Sequence, residues 1–273
     1  MANSHALRNG ANTDMQPTCG GMDELPDVTD VLKEAEQVIR QCFQTYALDE
    51  VFLCFNGGKD CTVLLDITIS VLKDIYKSCD IGKNLKVVYI RTKGPFVEIE
   101  KFVQEIKMYY GLTLKVTEGE MKETLQRLLE KDGILKAGLM GTRRSDPYSE
   151  NLQFVQKTDA NWPQIMRISP LLNWSYHHIW SYILQRQVPY CSLYDKGYTS
   201  IGSTTNTWPN PALAHKDCFG CVTYHPAWRL SDASLERAGR GSSVKAPVNG
   251  NGTYHNHSLT STINPCIRNG DVL

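Results

Sequence analysis

One short segment of the chain combines the residue types that bind a nucleotide phosphate. The apolar run Val51–Phe55 leads into Asn56-Gly-Gly-Lys-Asp60, here called the phosphate loop, and the chain then resumes the apolar spacing of a buried helix. Glycines let the backbone approach an oxyanion, and the N–H groups and dipole of a helix N-terminus favour negative charge. Lys59 adds a cation, and Asp60 could hold a metal ion. We therefore predict a phosphate site, with a plain strand-to-helix connection as the alternative.

The spacing of this loop differs from two common phosphate motifs. It is neither GxxxxGK[ST] nor GxGxxG. The loop is similar to the SGGxD loop of the ATP-pyrophosphatase group, with Asn56 in place of the usual serine. Enzymes of that group bind ATP and cleave it between the α- and β-phosphates, so the resemblance implies ATP chemistry.

Two arginines and a carboxylate lie together at the end of the fourth predicted strand. The segment Gly141-Thr-Arg-Arg-Ser-Asp146 contains Arg143 and Arg144, whose guanidinium groups match phosphate oxygens bidentately. Asp146 could orient an arginine, hold Mg²⁺ or accept a hydrogen bond from a substrate ring nitrogen. A solvated loop is the alternative interpretation.

Two further clusters are weaker signals when each is taken alone. Trp162 lies between Asp159 and Arg167 in a segment that we predict to be irregular, a setting that suits a flat heteroaromatic ligand and equally suits a tryptophan that fills the core. Arg237 and Arg240 are three residues apart, so on a helix they would share a face and could clamp a phosphate. A solvated surface is the simpler explanation of that run.

The elements that position these residues follow from alternating apolar patterns. Helical spacing begins after Asp27, and short β-rich runs then alternate with helical ones. After the strand that precedes the phosphate loop and the helix that follows it, we predict strands over 85–90, 112–116 and 134–140 and helices over 97–110, 120–131 and 175–187. This alternation predicts a mostly parallel sheet with helices on both faces. Ligands bind beyond the carboxyl ends of such strands, so functional residues should follow Phe55, Ile90 and Met140.

Composition bounds the class of protein. The 273 residues carry a formal net charge of zero, so no global field attracts nucleic acid or a membrane. No stretch could span a bilayer, and residues 1–22 contain no apolar core of a secretory signal. The nine cysteines, an odd number, suit thiols in a reducing cytoplasm. We expect a disordered N-terminus (1–22), an α/β core (23–187), a C-terminal segment of the same domain (188–241) and a disordered tail (242–273).

Six segments together carry a family resemblance that none of them carries alone. Between about Leu25 and Arg240 they resemble eukaryotic FAD synthase (FMN adenylyltransferase), a relative of phosphoadenylyl-sulfate reductase. The resemblance implies a Rossmann-like fold of the adenine-nucleotide α-hydrolase type. The segments resemble the stand-alone, fungal-type form of this enzyme, which lacks a molybdopterin-binding-like domain. The segments are Asn56-Gly-Gly-Lys-Asp60, Gly141-Thr-Arg-Arg-Ser-Asp-Pro147, Thr158-Asp159 with Trp162-Pro163, Arg167 with Pro170-Leu-Leu-Asn-Trp174, Tyr194-Asp-Lys-Gly-Tyr-Thr-Ser200 and Glu236-Arg-Ala-Gly-Arg240.

The family implies the reaction of ATP with FMN to give FAD and pyrophosphate, with Mg²⁺. Carried over to this sequence, the family's phosphate-binding positions are the end of the strand and the loop, namely Phe55, Asn56, Gly57, Gly58, Lys59 and Asp60. Asp60 is the implied Mg²⁺ ligand. Ile90 and Thr142 would meet the adenine, mainly through their backbone. The implied flavin side is Asp146, Asp159, Trp162 and Arg167. The implied catalytic residues are Asn56, Lys59, Asp60, Arg143, Asp146, Arg237 and Arg240, the last two on a mobile C-terminal segment.

The implied chemistry needs positioning and positive charge more than it needs a base. A phosphomonoester such as FMN has a second pKa of about 6, so much of it is dianionic at neutral pH. It must attack the α-phosphorus in line while pyrophosphate leaves. Two polyanions meeting in one cleft require concentrated cations. The residues expected to supply them, together with Mg²⁺, are Lys59, Arg143, Arg144, Arg167, Arg237 and Arg240.

Two other functions and one further motif remain open at this stage. A phosphoadenylyl-sulfate reductase shares the fold, but Cys266 in Asn-Pro-Cys-Ile-Arg does not match that enzyme's nucleophilic cysteine motif. A non-catalytic nucleotide-binding regulator would not need Asp60, Arg143 and Asp146 together. Cys218-Phe-Gly-Cys221 is half a zinc site at most, near His215 and His225, and incidental thiols are the favoured interpretation. The partners we expect are small molecules, with transient contact to FAD-accepting apoproteins allowed and none with nucleic acid or a membrane.

Overall fold

The computed structural model describes residues 25–241, and the ends predicted to be disordered, 1–22 and 242–273, lie outside the described residues. The elements of its first half alternate in the predicted order. The helices are α1 (Thr29–Thr45), α2 (Lys59–Tyr76), α3 (Ile81–Asn84), α4 (Val97–Tyr109), α5 (Met121–Lys131) and α6 (Tyr176–Arg186). The strands are β1 (Val51–Phe55), β2 (Lys86–Arg91), β3 (Leu114–Glu118), β4 (Ala137–Leu139), β5 (Val155–Lys157), β6 (Met166–Ile168), β7 (Ala214–Lys216) and β8 (Val222–Tyr224).

Six strands form one sheet in the order β3-β2-β1-β4-β6-β5. The first five in that order are parallel, and β5 pairs antiparallel with β6 at the edge. The predicted, mostly parallel α/β sheet is therefore confirmed. The chain moves outward from β1 to β2 and β3 and then returns to the other side of β1 with β4. This reversal opens a crevice at the carboxyl ends of β1 and β4, where ligands bind in such sheets.

Helix α2 is apolar on most of its sides because other helices cover it. It contacts both α1 and α6, and its apolar residues from Val63 to Leu72 are almost entirely buried. Helix α6 is capped at its N-terminus by Ser175, whose hydroxyl accepts a hydrogen bond from the backbone N–H of His178 at 3.0 Å. It contributes Trp180, which is completely buried. The helix that opens at the phosphate loop is thus fixed by the core.

Two short strands at one edge of the sheet were not expected from the sequence. β5 and β6 have only three residues each, and neither contains an apolar run that would mark a strand. The sequence places Arg167 in an irregular segment, which is wrong, because Arg167 lies in β6 and pairs with Gly138 of β4. Pairing with the rest of the sheet, rather than local propensity, makes this segment a strand.

The C-terminal segment 188–241 folds as a series of short turns against the core. Four 3₁₀ helices lie at Tyr194–Lys196, Pro211–Leu213, Ala227–Arg229 and Ala233–Leu235, and β7 and β8 form an antiparallel hairpin. Leu213, Ala227 and Leu230 are buried in the same hydrophobic core as the sheet. The domain division at residue 187 stays a prediction. Among the described residues, no helix combines the length and the apolar character needed to cross a bilayer.

Candidate functional site

The phosphate loop turns sharply and is braced by its own side chains. Gly57 has a φ of 76°, a left-handed conformation that favours glycine. The Asn56 side-chain oxygen accepts hydrogen bonds from the Gly58 N–H at 2.9 Å and from the Cys61 thiol at 2.8 Å. The Asn56 N–H in turn donates to Cys61 Sγ at 3.3 Å. Asn56 therefore shapes the loop, a role that a serine at the same position would fill with a shorter side chain.

A close backbone approach brings the second predicted segment to the loop. A Cβ on Gly141 would lie 3.0 Å from the Cys61 backbone nitrogen, so only glycine lets the chain after β4 pass this close to the start of α2. Thr142, Arg143 and Asp146 are consequently placed beside Asp60. Residues that follow Phe55, Ile90 and Met140 line one pocket at this edge of the sheet, and their functional role stays a prediction.

Five charged side chains form a cluster beneath the loop, which we call the charge cluster: Lys59, Asp60, Arg143, Asp146 and Glu236. Lys59 and Arg143 are only 2% and 1% exposed. The Lys59 ammonium contacts Asp60 Oδ2 at 3.1 Å and pairs with Glu236. Arg143 donates to both oxygens of Glu236, at 2.8 and 2.7 Å, and its Nε lies 2.9 Å from Asp60 Oδ1. Three carboxylates thus surround two cations.

One carboxylate oxygen in this cluster is buried without a hydrogen bond. Asp60 Oδ1 and Arg143 Nε are close but poorly aligned, and neither has a hydrogen-bond partner within residues 25–241. A buried acceptor in this state is unfavourable unless something else binds it. A carboxylate oxygen is a hard ligand of the kind that Mg²⁺ prefers, and in this cluster Lys59 and Arg143 already pair with Asp60. Asp60 is the residue here that would hold the metal ion that the family resemblance implies.

The carboxyl groups of the charge cluster differ in pKa. Burial by itself would raise the pKa of Asp60, but the Arg143 guanidinium and the Lys59 ammonium outweigh it and lower that pKa below its ordinary value of 3.8. Burial raises the pKa of Asp146, and Arg143 only partly offsets it. Arg143 itself is kept charged by Asp60 and Glu236, which outweigh its burial and raise its pKa. Of Asp60 and Asp146, Asp60 is the one whose ionised form its surroundings favour.

Two pockets open at this edge of the sheet and share part of their walls. The first, the loop pocket, contains the phosphate loop together with Asp146, Ser200, Arg237 and Arg240. The second, the apolar pocket, lies between β1, β2 and α5 and has a cavity volume of about 190 Å³. The residues that line both are Cys54, Ile90, Met121, Met140 and Thr142. An anion-binding cleft therefore adjoins an apolar one.

The residues predicted for a heteroaromatic ligand meet in the apolar pocket. Asp159, Trp162 and Arg167 all line it, together with Ile90 and Thr142. The Trp162 N–H donates to the Asp159 carbonyl at 2.8 Å, so the turn that carries them is closed locally. The Nε of Arg167 is buried without a hydrogen bond among the described residues. These residues are brought together as the sequence predicts, but Asp146 lies in the loop pocket instead.

The two C-terminal arginines reach the loop pocket from a turn and not from a helix. The shared helical face expected for Arg237 and Arg240 is wrong, because the 3₁₀ helix ends at Leu235 and tight turns follow, with the Arg240 N–H donating to the Arg237 carbonyl at 2.9 Å. Arg237 is exposed, and Arg240 Nη1 donates to Ser200 Oγ at 3.3 Å. Burial and the neighbouring Arg237 lower the pKa of Arg240. Both guanidinium groups nevertheless border the same cleft.

Two of the expected cations do not face either pocket. Arg144 donates to Asn173 Oδ1 at 2.9 Å and to the backbone carbonyls of Glu150 and Leu152, so it fastens a loop. Arg143 is buried in the charge cluster and is not part of either pocket lining. The structure therefore leaves Arg237 and Arg240 as the arginines of the loop pocket, with the buried ammonium of Lys59 beneath the loop.

Two residues at the centre of the site have no role in the sequence interpretation. The Tyr194 hydroxyl accepts a hydrogen bond from the Lys59 backbone N–H at 2.8 Å, and Glu236 pairs with Lys59 and Arg143. Both belong to segments that carry the family resemblance, and that membership is the one signal by which they could have been found. A tyrosine or a glutamate alone in a loop does not indicate such a contact.

The Cys218–Cys221 segment forms the turn of the β7–β8 hairpin, away from both pockets. The rings of His215 and His225 stack beside it, with centroids 3.7 Å apart. Within residues 25–241, no group of three or more cysteine, histidine or acidic side chains is arranged to hold a metal ion. The structure thus gives no support to a zinc site at this hairpin.

Relatives of known name cover most of the chain. Residues 50–133 and 120–209 match the family described as the phosphoadenosine phosphosulfate reductase domain. A probable FAD synthase of Schizosaccharomyces pombe is 42% identical over 76% of this chain and 77% of its own length. The flavin adenine dinucleotide synthase of Saccharomyces cerevisiae is 31% identical over 70% of this chain and 81% of its own length. The probable FAD synthase of Caenorhabditis elegans is longer, and this chain spans 40% of it.

Solved structures of FMN adenylyltransferase are similar to this chain in fold and sequence. Candida glabrata FMN adenylyltransferase in complex with FMN and the ATP analogue AMPCPP has a TM-score of 0.71 at 28% identity, over 83% of this chain and 94% of that one. The same enzyme with FAD and inorganic pyrophosphate gives a TM-score of 0.72 at 29% identity, over 83% and 93% of the two chains. A phosphoadenylyl-sulfate reductase from Candida auris, at 22% identity and a TM-score of 0.50, shares the fold. The fold implied by the sequence resemblance is confirmed.

Proposed function

The chain belongs to the FAD synthase (FMN adenylyltransferase) family, within the wider phosphoadenosine phosphosulfate reductase domain family, and we propose that it transfers the adenylyl group of ATP to FMN. The products are FAD and pyrophosphate. The observation that carries this proposal is the pair of adjoining pockets, one lined by the phosphate loop and two arginines and the other by apolar residues and Trp162. A dinucleotide with two ring systems and a central pyrophosphate needs both kinds of surface.

The pockets divide the two substrates between them. The ATP phosphates lie along Asn56–Asp60 in the loop pocket, where the N-terminus of α2 and the two arginines attract negative charge. Adenine meets Ile90 and Thr142 at the boundary of the two pockets, and the isoalloxazine ring of FMN lies against Trp162 in the apolar pocket. Asp159 and Arg167 then provide polar groups around the flavin.

The chain's contribution to the reaction is positioning and charge. A phosphate oxygen of FMN forms a bond to the α-phosphorus of ATP while the bond from that phosphorus to the bridging oxygen breaks, and pyrophosphate carries away the electron pair. No proton has to be removed because the FMN phosphate is largely dianionic at neutral pH. Arg237 and Arg240 stabilise the charge that develops on pyrophosphate. Arg143 orients Asp60 and Asp146 and does not itself contact phosphate.

The proposal includes a magnesium ion that binds together with ATP and that Asp60 would hold. The support is the buried Asp60 Oδ1 that lacks a hydrogen bond within residues 25–241. When bound, the metal ion would shield the charge of the ATP phosphates. Asp146 is the neighbouring carboxylate, and burial raises its pKa. A cation bound close to Asp146 would therefore favour its ionised form.

The proposal extends to the setting in which the enzyme works. We propose a cytoplasmic location, which the buried thiols of Cys42, Cys61 and Cys191, none of them in a disulfide, support, since cytoplasmic proteins keep such thiols reduced. Its partners are small molecules, and a formal net charge of zero gives it no general attraction to nucleic acid. Transient contact with apoproteins that accept FAD is compatible with this setting.

The test is a direct assay of the purified chain. It is incubated with ATP, MgCl₂ and FMN, and FAD and pyrophosphate are measured by chromatography and by a coupled pyrophosphate assay. Equal amounts of the two products are expected, and they should disappear when MgCl₂ is replaced by a chelator. The absence of FAD would contradict the proposal, and consumption of adenylyl sulfate in a parallel reaction would favour a reductase.

A further inference from the structure

A carboxylate that the reaction itself does not require lies at the centre of the charge cluster. Glu236 is 8% exposed, and both of its oxygens are engaged by cations from distant parts of the chain. Lys59, at the start of α2, is 177 residues away in sequence, and Arg143, after β4, is 93 residues away. Glu236 therefore joins the C-terminal segment to the two strand ends that build the loop pocket.

The residues that follow Glu236 carry the two arginines of the loop pocket. We call 236–240 the arginine segment. Its backbone is also held: the Thr199 hydroxyl donates to the Glu236 carbonyl at 2.6 Å, and the Trp208 N–H donates to the Gly239 carbonyl at 2.9 Å. These bonds attach the segment to residues 199–208, which are themselves part of the C-terminal half. The Glu236 side chain makes the contact across to the phosphate loop.

The arginine segment needs such an attachment because its own charges repel. Arg237 and Arg240 border one cleft, and no ion pair to a carboxylate is found for either of them within residues 25–241. The Nε of Arg240 is buried without a hydrogen bond in the same range, and burial, together with the neighbouring Arg237, lowers the pKa of Arg240. Two guanidinium groups without a carboxylate partner favour the binding of an anion. Without a bound anion, their mutual repulsion favours a conformation in which they move apart into solvent.

We propose that Glu236 is a positioning residue that fastens the arginine segment to Lys59 and Arg143 and so holds Arg237 and Arg240 over the phosphates of the reacting nucleotide. This inference rests on the proposed function. Glu236 does not act on the substrate, because its oxygens are occupied by Lys59 and Arg143. It acts through the arginines that follow it in the chain, whose guanidinium groups must be placed to within about 1 Å to be effective.

The kinetic test compares Glu236→Gln, Arg240→Ala and the double variant. Gln keeps the size of Glu236 but removes its charge, so we expect kcat to fall about 100-fold while the KM for FMN changes less than about twofold. In the Arg240→Ala background the same change should cost less than about tenfold, because one of the two arginines that Glu236 positions is gone. Asp132→Asn is the matched control, since Asp132 forms a partly buried ion pair with Lys86 at 2.9 Å away from both pockets. It should leave kcat unchanged.

A second measurement does not depend on turnover. Trypsin cleaves after arginine, so the rate of cleavage after Arg237 and Arg240 reports how often the segment opens. Glu236→Gln should raise that rate about tenfold or more, and inorganic pyrophosphate should slow cleavage in the wild-type protein. A wild-type chain that makes no FAD would overturn the proposed function. An active wild type, with Glu236→Gln unchanged in kcat and in cleavage rate, would overturn the role of Glu236 alone, and so would equal losses in the presence and absence of Arg240.

Discussion

The Tyr194 hydroxyl accepts a hydrogen bond from the backbone N–H of Lys59 at 2.8 Å, across 135 residues of sequence. Lys59 is the first residue of α2, so this N–H is one of those that a helix leaves without an intrahelical partner. Tyr194 is 1% exposed, and its ring lies edge-on to Trp180 with centroids 5.2 Å apart. The start of α2 is thus held by a neutral oxygen fixed in the core, and Tyr194 also lines the loop pocket.

Tyr194→Phe tests how much this contact stabilises the protein. The variant keeps the ring but leaves a buried N–H without an acceptor, which costs about 1–3 kcal/mol in the free energy of unfolding. Chemical denaturation monitored by tryptophan fluorescence measures the difference. Tyr148→Phe is the control, because Tyr148 is 97% exposed and its variant should unfold like the wild type. Equal stability of the Tyr194 and Tyr148 variants would show that the loop does not depend on this bond.

Asp60→Asn separates the catalytic from the structural role of the charge cluster. We expect turnover to fall by about two orders of magnitude, because a charged ligand beside the phosphates is lost. The pKa of Asp60 in the folded protein lies below its ordinary value of 3.8, so its ionised form stabilises the fold above that pH, and the effect disappears as the pH falls through the folded pKa.

The pH dependence of this variant gives a signed test. At pH 7 the variant should melt below the wild type, and the two melting temperatures should converge as the pH is lowered below about 4. Glu150→Gln, at an exposed position, serves as the control and should follow the wild type at each pH. A gap for Asp60→Asn that widened with acid would show that this carboxylate does not stabilise the fold in its ionised form.

Gly202→Ala tests the placement of Arg240. A Cβ on Gly202 would lie 2.4 Å from Arg240 Nη2, and the end of the arginine side chain is the part that can move away. We expect turnover to fall about tenfold or more through this displacement, with a much smaller effect on stability. Gly133→Ala is the matched control, because a Cβ there would meet no other atom within 4 Å.

Arg240→Ala is the companion variant to Gly202→Ala. It should lower turnover by about two orders of magnitude without unfolding the chain, since Arg240 makes its side-chain hydrogen bond at the rim of the loop pocket. Adding Gly202→Ala to Arg240→Ala should then have little further effect on turnover. A full additional loss in the double variant would show that Gly202 acts on something other than Arg240.

The position of the phosphate loop could be predicted because its signals are local. Strand, glycine turn, cation and helix follow one another within 51–72, and parallel topology places the chain after Met140 beside them. The partners of the loop could not be predicted in the same way. Glu236 and Tyr194 reach it through the folding of 188–241, whose short turns follow contacts with the core and show no apolar periodicity.

The same reasoning explains what was wrong in the sequence interpretation. Strand β6 owes its conformation to pairing with β4, and its three residues carry no local strand signal, so the sequence alone predicts an irregular segment at Arg167. Arg144 has the same type and neighbours as Arg143, yet it binds backbone carbonyls on the far side of its loop. Residue type alone does not determine which of two adjacent arginines points into a cleft.

Trp162→Ala decides between ligand stacking and core filling for this half-buried side chain. If the isoalloxazine ring stacks on Trp162, the loss of stacking, about 1–3 kcal/mol per ring, should raise the KM for FMN about 10- to 100-fold and leave the KM for ATP nearly unchanged. If Trp162 mainly fills the core, the free energy of unfolding should fall by about 3–5 kcal/mol and both KM values should change together. Steady-state kinetics and chemical denaturation measure the two outcomes, and Phe219→Ala, at an aromatic residue that is 85% exposed on the distant hairpin, should alter neither. We expect the selective effect on FMN, because Trp162 borders the apolar pocket together with Asp159 and Arg167, polar residues that a purely structural cluster would not need.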